Sequence, residues 1–256
     1  MPDLFLELKD DAGESQRQTP LTEDEALHVL TSADFTGTQL IPWGSNYTFA
    51  VVLEPEEDRS VLAIYKPRAG EAPLWDFPDG TLYRREVAAY RFSAWAGWDL
   101  VPVTVVRDGP HGEGSLQLYI EPEPETDSRE QFWGGEHPEV ERLVLFDQLT
   151  NNADRKIGHC LRDRNGKVWG IDHGLTFNCE PKLRTVLWQF VGQPFSPELR
   201  QELEGIYCRR SELPSLLGDD LDEDEIAALT RRIEILHERG VHPRLNPRRN
   251  VPYGWW

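Results

Sequence analysis

The spacing of apolar residues changes once along the chain, from short β-rich runs to a helical period. In the first half, runs of β-branched and aromatic residues alternate with turn residues, which predicts strands. These runs cover residues 39–43, 47–53, 60–66, 101–106 and 115–120. In the second half, apolar residues recur at helical spacing over 140–149, 183–191, 197–210 and 222–239. The pattern therefore predicts a β-rich part followed by a mainly helical part.

Helix-start and helix-stop residues add detail to the β-rich part. Thr22, followed three residues later by Glu25, is a capping box that opens a short helix, and Gly37 ends that region. A longer helix is predicted over 80–95, between the third and fourth strands, and Gly97 closes it. We assign this longer helix to the same part of the chain as the five predicted strands.

The composition changes abruptly after the fifth predicted strand. Residues 121–127 read EPEPETD, and an acidic stretch punctuated by proline behaves as a hinge or linker. We therefore predict two domains: an N-lobe at residues 1–120 and a C-lobe at residues 121–256. The predicted fold class is α+β, with an antiparallel β-sheet and one helix in the N-lobe and mainly helices in the C-lobe.

Charge and cysteine content exclude several functional classes. The 256 residues carry a net charge of −18, which repels nucleic acid and anionic lipid at long range. The segment 243–249 resembles a basic patch, and we interpret it as a solvated tail. No apolar run approaches the ~18 residues of a membrane span, so we expect a cytoplasmic protein without stable membrane association. Three cysteines without CxxC spacing argue against a disulfide framework and a zinc ribbon.

The richest candidate chemistry lies between residues 151 and 177. Asp154 is followed by His159, then by a hairpin predicted from Asn165-Gly166, and then by Asp172. Two acids at the two ends of one small β unit suit phosphoryl transfer. One acid would orient or deprotonate an acceptor hydroxyl, and the other would hold the metal that bridges the nucleotide phosphates. The simpler interpretation is a hairpin decorated with turn-forming acids.

Candidates for the phosphate-binding side lie in the first half. The turn Gly44-Ser45-Asn46 joins two β-rich runs and could lay backbone N–H groups over a phosphate, although an ordinary hairpin loop has the same residues. Lys66 ends an apolar strand, and Glu86 lies on the following predicted helix. Such a Lys and Glu pair holds nucleotide phosphates in kinase folds, whereas a surface lysine and a helix-solvating glutamate are the plain alternative.

Taken together, these pieces resemble the bacterial phosphatidylinositol 3- and 4-kinase-related family, which has a protein-kinase-like fold. The similarity spans about residues 40 to 190. The matching runs are YKP at 65–67, PLWDFP at 73–78, GTL at 80–82, REVAAY at 85–90, NNADRK at 151–156 and IDHG at 171–174.

The resemblance implies a role for each motif. Lys66 would bind the α and β phosphates of ATP, and Glu86 would hold that lysine. Asp154 would be the catalytic acid, and Asp172 would be a metal ligand in a DHG version of the DFG motif. The adenine would lie against a hinge at Tyr119, Ile120 and Glu121.

Two positions depart from the family pattern. His159 stands where the second metal ligand is usually Asn, and an imidazole there moves the expected preference from Mg²⁺ towards Mn²⁺. Lys156 stands where lipid kinases have His, and it could stabilise the transferring phosphoryl group. The expected cofactors are therefore ATP with Mg²⁺ or Mn²⁺.

The sequence thus predicts an ATP-dependent phosphotransferase that moves the γ-phosphate to a hydroxyl acceptor. Because the surface is acidic, the acceptor is expected to be a protein Ser/Thr or a small soluble molecule rather than a membrane lipid. One alternative is a pseudokinase or nucleotide-binding interaction module. Another is a metal-dependent hydrolase that would use Asp154, His159, Asp172 and His173.

Overall fold

The computed structural model describes residues 21–42, 44–56, 59–124 and 132–253. The chain divides into two compact units. Unit 1 contains the chain up to Tyr83 together with Val103–Tyr119, and unit 2 contains Arg84–Pro102 together with the chain from Ile120 onward. The functional division at residues 1–120 and 121–256 stays a prediction. Residues 125–127 of the predicted linker, and Trp43 at the end of the first predicted strand, lie outside the described residues.

Unit 1 is built on the antiparallel five-stranded sheet that the sequence predicts. The strands are β1 (Asp34–Ile41), β2 (Thr48–Glu56), β3 (Arg59–Pro67), β4 (Thr104–Gly109) and β5 (Gly112–Leu118), in the order β1-β2-β3-β5-β4. Several predicted boundaries were wrong: β1 begins at Asp34 instead of residue 39, β4 at Thr104 instead of residue 101, and β5 at Gly112 instead of residue 115. Gly37 therefore lies within β1 and does not end a helical region. The strand accommodates it at a shift in pairing register between Phe35 and Gly37.

Helix α1 (Glu23–Ser32) covers one face of this sheet. Its start is the predicted capping box of Thr22 and Glu25. Val29 and Leu30 of α1 are buried with apolar side chains of the strands, namely Val51, Leu53, Val61, Ala63, Tyr65 and Leu116. Burying such side chains contributes roughly 1.5–3 kcal/mol each, so this cluster is the main source of stability in unit 1.

Unit 2 contains most of the helices. They are α2 (Leu82–Trp95, whose first two residues belong to unit 1), α3 (Pro138–Thr150), α4 (Pro197–Arg209), α5 (Leu213–Leu217) and α6 (Glu223–Arg239). The predicted hairpin around Asn165-Gly166 is present as β6 (Cys160–Arg162) and β7 (Val168–Gly170). Asp222 and Glu225 form the capping box at the start of α6, and Gly240 ends that helix in a left-handed conformation.

The helix predicted over residues 183–191 was wrong. This segment lies against the chain that follows α3, and backbone N–H groups in its first half donate to that chain. The hydrogen bond from Val191 to Trp188 within the segment closes a single turn and not a helix. The N–H of Arg184 donates to the carbonyl of Asn152 at 2.9 Å, and the N–H of Val186 donates to the carbonyl of Arg155 at 3.1 Å. Long-range pairing has therefore overridden the local apolar periodicity.

Aromatic and charged side chains join the helices of unit 2. Phe92 on α2 stacks on Phe146 of α3 with ring centroids 5.9 Å apart, and it meets the edge of Phe177 at 6.4 Å. Arg85, also on α2, forms a buried ion pair with Glu225 of α6. Helix α2 is thereby fixed against both neighbours. Within the described ranges, no helix combines the length and the apolar content that crossing a bilayer requires.

A buried carboxyl group in unit 2 makes the stability of the fold depend on pH. Asp220 is 8% exposed, and its Oδ2 lies 2.8 Å from Nη1 of Arg91. Burial raises the pKa of Asp220 to about 6, although the charge of Arg91 acts in the opposite direction. Since the pKa of an unfolded Asp lies near 3.9, the folded state binds more protons between about pH 6 and pH 4.

Relative to the variant Asp220→Asn, the wild type should therefore gain free energy of unfolding as the pH falls through this window. The gain has an upper bound of about 3 kcal/mol. Urea unfolding at pH 7, 6, 5 and 4 measures it. Glu238→Gln, which changes an exposed acid on α6, serves as the control. Parallel pH profiles for the wild type and Asp220→Asn would contradict the prediction.

Candidate active site

The loop that carries the candidate catalytic acid begins at the end of α3. Asn151 adopts a left-handed conformation with φ 54°, which stops the helix, and its side chain donates to the carbonyl oxygens of Asn178 and Glu180 at 2.8 and 2.7 Å. The side-chain oxygen of Asn152 then accepts the N–H of Asp154 at 2.9 Å. Two consecutive asparagines therefore set the backbone that presents Asp154.

A buried ion pair lies beneath this loop. Nε and Nη2 of Arg155 donate to the two carboxylate oxygens of Asp147 at 2.8 and 2.9 Å, and the side chains are 0% and 1% exposed. Burial alone would lower the pKa of Arg155, but the Asp147 carboxylate outweighs it and raises that pKa. Asn152 donates to the same carboxylate at 2.9 Å, so Asp147 is bound from two directions.

The guanidinium of Arg155 also holds both ends of the hairpin. Nη1 donates to the carbonyl oxygens of His159 at 2.8 Å and Ile171 at 3.1 Å, and Nη2 lies 2.7 Å from Nε2 of His173. Gly170 leaves the space for this group, because a Cβ there would lie 3.1 Å from Nη2. One buried cation thus fixes the backbone at both candidate metal positions.

Sequence reasoning missed this scaffold. Asp147 stands in VERLVLFDQL, the sequence of an almost wholly buried helix. A carboxylate on a buried helical face requires a partner, because an unpaired buried charge is very costly. The position of Asp147 within this buried helix was therefore the sequence signal for the scaffold, because it indicates a nearby cation such as Arg155.

Asp154 is one of two acids that the structure brings to the surface of the loop. Its side chain is 20% exposed, and its Oδ2 lies 2.9 Å from Nζ of Lys156. Burial raises the pKa of Asp154, while the hydrogen bond and charge of Lys156 act in the opposite direction. A carboxylate with a raised pKa is a better proton acceptor, so this residue is suited to be a general base.

The second acid is paired with the candidate metal-binding histidine. Nε2 of His159 lies 3.1 Å from Oδ2 of Asp172, and Nδ1 of the same ring lies 3.1 Å from the backbone carbonyl of Asp154. A carbonyl can only accept, so Nδ1 carries a hydrogen and, in the neutral ring, Nε2 presents its lone pair to the carboxylate. Two such electron-rich groups at this distance form a donor set for a cation.

The conformation of the backbone also favours this arrangement. Asp172 has φ 61°, which is uncommon for a residue with a side chain and occurs mostly at functional or turn positions. The next N–H, that of His173, donates to the buried carboxylate of Glu86 at 2.8 Å. Glu86 thus supports the DHG segment, and its expected role of holding Lys66 stays a prediction.

The divalent metal implied by a kinase-like site fits these residues. An imidazole nitrogen and a carboxylate oxygen, one of them oriented by a backbone carbonyl, are a suitable pair of ligands for Mn²⁺ or Mg²⁺. In the part of the chain that the structure describes, no group of three His, Cys, Asp or Glu side chains could hold a metal. Two protein ligands therefore leave the other positions to nucleotide phosphates and water.

The four-residue metal site of the hydrolase alternative was wrong. It requires His173 as a ligand beside Asp154, His159 and Asp172. The His173 side chain is fully buried, with Nε2 against Arg155 and the ring edge-on to Phe146 at a centroid distance of 5.4 Å. His173 is therefore part of the scaffold and is not aligned with the other three groups.

Candidate phosphate-binding residues lie in unit 1. The Gly44-Ser45-Asn46 turn joins β1 to β2, and Gly44 has φ 110°. The side-chain oxygen of Asn46 accepts the N–H of Ala72 at 2.8 Å, and the N–H of Tyr47 donates to Gly70 at 3.0 Å. The turn is thereby fixed against the loop after β3. Lys66 is half-buried near the end of β3.

The expected adenine hinge follows β5. The N–H of Tyr119 donates to the carbonyl of Leu62 at 3.1 Å, which extends the pairing beyond the strand. Ile120 is the first residue of unit 2 after β5, and Glu121 accepts a hydrogen bond from Arg164 at 2.6 Å. The assignments of these residues to nucleotide binding stay predictions.

Comparison with known proteins identifies the fold. No family model matches the chain. The structure of the Golgi casein kinase with Mn and ADP bound is similar with a TM-score of 0.54 and 15% identity, over 88% of this chain and 80% of that chain. The Helicobacter pylori proinflammatory kinase CtkA is similar with a TM-score of 0.52 and 12% identity, over 83% of this chain and 94% of that chain. The structure of hydra Fam20 with sugar is similar with a TM-score of 0.50 and 17% identity, over 84% of this chain and 87% of that chain.

These three similarities confirm the predicted α+β, bilobal, protein-kinase-like fold. A sequence relative is closer than any of these three structures. Protein Rv2133c of Mycobacterium tuberculosis (strain ATCC 25618 / H37Rv) is 37% identical over 265 residues, which cover 90% of this chain and 95% of the relative. The chain therefore belongs to the family of Protein Rv2133c.

Proposed function

We propose that the protein is an ATP-dependent phosphotransferase that acts on a hydroxyl group. The observation that carries this proposal is the approach of Nε2 of His159 to the Asp172 carboxylate at 3.1 Å, beside Asp154. A metal-binding pair next to a carboxyl group of raised pKa is the arrangement that metal-assisted phosphoryl transfer uses. The kinase-like fold supports the same reaction class.

In this reaction Asp154 accepts the proton of the acceptor hydroxyl. The hydroxyl oxygen forms a bond to the γ-phosphorus of ATP, and the bond from that phosphorus to the bridging oxygen breaks, with its electron pair leaving on ADP. Lys156, 2.9 Å from Asp154, holds a positive charge beside the transferring group. Asp172 and His159 would hold the metal ion, which would supply electrostatic stabilisation of the phosphate oxygens.

The rest of the nucleotide site is assigned from the motifs. We assign the α and β phosphates to Lys66, supported by Glu86, and we assign the outer phosphates to the backbone of Gly44-Ser45-Asn46. The adenine is assigned to Tyr119, Ile120 and Glu121. Manganese and ADP in the Golgi casein kinase structure support a nucleotide with a divalent metal here.

The acceptor is proposed to be a protein Ser/Thr or a small soluble molecule. The net charge of −18 opposes approach to an anionic membrane surface, which a lipid acceptor would require. A relationship to the bacterial phosphatidylinositol 3- and 4-kinase-related family is part of the same proposal, and it rests on the motifs around Lys66, Asp154 and Asp172.

Thermal unfolding with ATP and either Mn²⁺ or Mg²⁺ tests the nucleotide site. ATP at 100 times its Kd should stabilise the wild type by about 2.7 kcal/mol, because a ligand that binds only the folded state raises its stability. Asp172→Ala should remove the metal-dependent part of the shift, whereas Asp219→Ala, a change of an exposed acid, should retain it. No shift in the wild type with either metal would contradict the proposal.

Intact-mass analysis after the same incubation separates an active kinase from a binding module. An added phosphate on the wild type, absent from Lys66→Met, supports phosphoryl transfer. His159 in place of the usual Asn is the observation that favours the second candidate, a nucleotide-binding pseudokinase. Nucleotide-dependent stabilisation without transfer to the protein or to offered hydroxyl acceptors would support that candidate.

A further inference from the structure

Two segments of unit 2 contain no acidic residue, although the chain has 45 Asp and Glu residues in all. They are residues 181–197 and residues 240–253. Between them they carry five basic side chains, and we call this set the basic surface: Lys182, Arg184, Arg244, Arg248 and Arg249. In a chain with a net charge of −18, such a local excess of positive charge is unusual.

The two segments are joined to each other by backbone and side-chain hydrogen bonds. The N–H of Thr185 donates to the carbonyl of Asn250 at 3.0 Å, and the Asn250 side chain donates to the carbonyl of Leu183 at 2.6 Å. Further along, the N–H of His242 donates to the carbonyl of Gln193 at 2.9 Å. The segment 243–249 is therefore held at both ends, by His242 and Asn250, while its arginine side chains are exposed to solvent.

The paired segments lie directly against the candidate catalytic loop. The N–H of Arg155 donates to the carbonyl of Arg184 at 3.1 Å, and Nη1 of Arg184 lies 3.5 Å from the carbonyl of Ala153. The same guanidinium lies over the Tyr253 ring, 4.8 Å from its centroid. Since Ala153 precedes Asp154, the Arg184 guanidinium lies beside the residue that is adjacent to the proposed base.

The four arginines of the basic surface differ from other arginines of unit 2 in their charged partners. Elsewhere in unit 2, arginine side chains such as Arg142, Arg162, Arg164 and Arg210 each form an ion pair with a glutamate. In the described ranges, no ion pair to a carboxylate involves Arg184, Arg244, Arg248 or Arg249, and the last three are exposed. These guanidinium groups are thus available to bind an anionic ligand.

We propose that the basic surface binds an acidic peptide segment next to the Ser or Thr hydroxyl that accepts the phosphoryl group. This inference rests on the proposed function and specifies its substrate. Guanidinium groups bind carboxylates through paired, charge-assisted hydrogen bonds. A substrate with Glu or Asp beside the accepting residue would place these carboxylates near Arg184 while its hydroxyl reaches Asp154.

The arrangement of the cations favours a short peptide over other anions. Arg184 lies beside Ala153, whereas Arg244 lies beside Gly192, and the two are carried by different segments. Several separated carboxylates match this distribution better than one compact phosphate. The Debye length is about 8 Å at physiological ionic strength, so a short peptide senses mainly the local cations. A long nucleic acid or a membrane would also meet the acidic remainder of the surface.

Fluorescence anisotropy with labelled peptides tests this proposal. One peptide has a central Ser flanked by Glu residues, and its matched partner has Gln at those positions. The wild type should bind the Glu peptide at least 10-fold more tightly at low salt, with the preference falling as salt is added. Arg184→Ala and the double variant Arg248→Ala/Arg249→Ala should each weaken binding at least 5-fold. Arg231→Ala, a change of an exposed arginine on α6, should leave it unchanged.

Two controls exclude loss of folding as the cause of weaker peptide binding. One is the variant Arg184→Gln, and the other is thermal unfolding of every variant without ligand. Equal affinity for the Glu and Gln peptides would overturn the proposal, and so would tighter binding of an oligonucleotide or of phosphatidylserine vesicles through the same arginines. The stabilisation of each variant by ATP and Mn²⁺ distinguishes a failure of this proposal from a failure of the proposed function. If it persists without a peptide preference, this proposal fails alone; if the wild type lacks it, the proposed function fails and this inference fails with it.

Discussion

Replacing Asp154 by Asn is expected to lower the rate of phosphoryl transfer by about 10³-fold, the middle of the range that a general base contributes. The amide keeps the size of the side chain and can still accept a hydrogen bond from Lys156, but it cannot accept the hydroxyl proton. Nucleotide binding should change little, because the proposed metal ligands are Asp172 and His159. Single-turnover transfer from radiolabelled ATP to a hydroxyl acceptor measures the rate.

The pattern across variants makes this result specific. Asp172→Asn is expected to reduce both nucleotide affinity and rate, whereas Asp154→Asn should reduce the rate alone. Asp219→Asn, which removes one exposed carboxylate from the same unit, should match the wild type in both. If Asp154→Asn retains more than about a tenth of the wild-type rate, general-base catalysis by Asp154 is ruled out on the usual range of this effect.

Replacing Asp147 by Ala is expected to reduce the free energy of unfolding by about 3–5 kcal/mol, since it leaves the buried guanidinium of Arg155 without its counter-ion. Both side chains are at most 1% exposed, so water cannot replace the lost carboxylate. The loop that carries Asp154 should lose its order along with this stability. Urea unfolding gives the free energy, and hydrogen exchange of the loop amides reports the local effect.

A second ion pair on the same helix supplies the matched control. Arg142 binds Glu202 through two hydrogen bonds at 2.9 and 2.6 Å, but both side chains are more than a quarter exposed. Breaking that pair with Arg142→Ala should cost only about 0.2–1 kcal/mol. Similar losses for Asp147→Ala and Arg142→Ala would mean that the buried pair does not determine the geometry of the loop.

Local patterns in the sequence predicted the elements whose hydrogen bonds are local or between successive strands. The capping box at Thr22 and the hairpin around Asn165-Gly166 are specified by a few neighbouring residues. The antiparallel sheet was predictable because its strands are β-rich and separated by turn residues. Likewise, the spacing of Asp154, His159 and Asp172 was sufficient to suggest a shared site, and the structure brings His159 and Asp172 to 3.1 Å.

Long-range interactions explain what the sequence did not reveal. The 183–191 segment has helical periodicity, but the amide groups of Arg184 and Val186 bond to Asn152 and Arg155, about thirty residues earlier. The pairing of Asp147 with Arg155 depends on a turn at Asn151 that the helical pattern alone does not define. The sequence shows the basic residues of 243–249, but it does not define the long-range hydrogen bonds that join Asn250 to Leu183 and Thr185.

The way Arg155 holds the hairpin has a consequence for divergence within this family. Its guanidinium binds the carbonyl oxygens of residues 159 and 171, which every amino acid possesses, rather than their side chains. Substitutions at position 159 should therefore change the proposed metal ligand while the bonds from Arg155 to the loop backbone are kept.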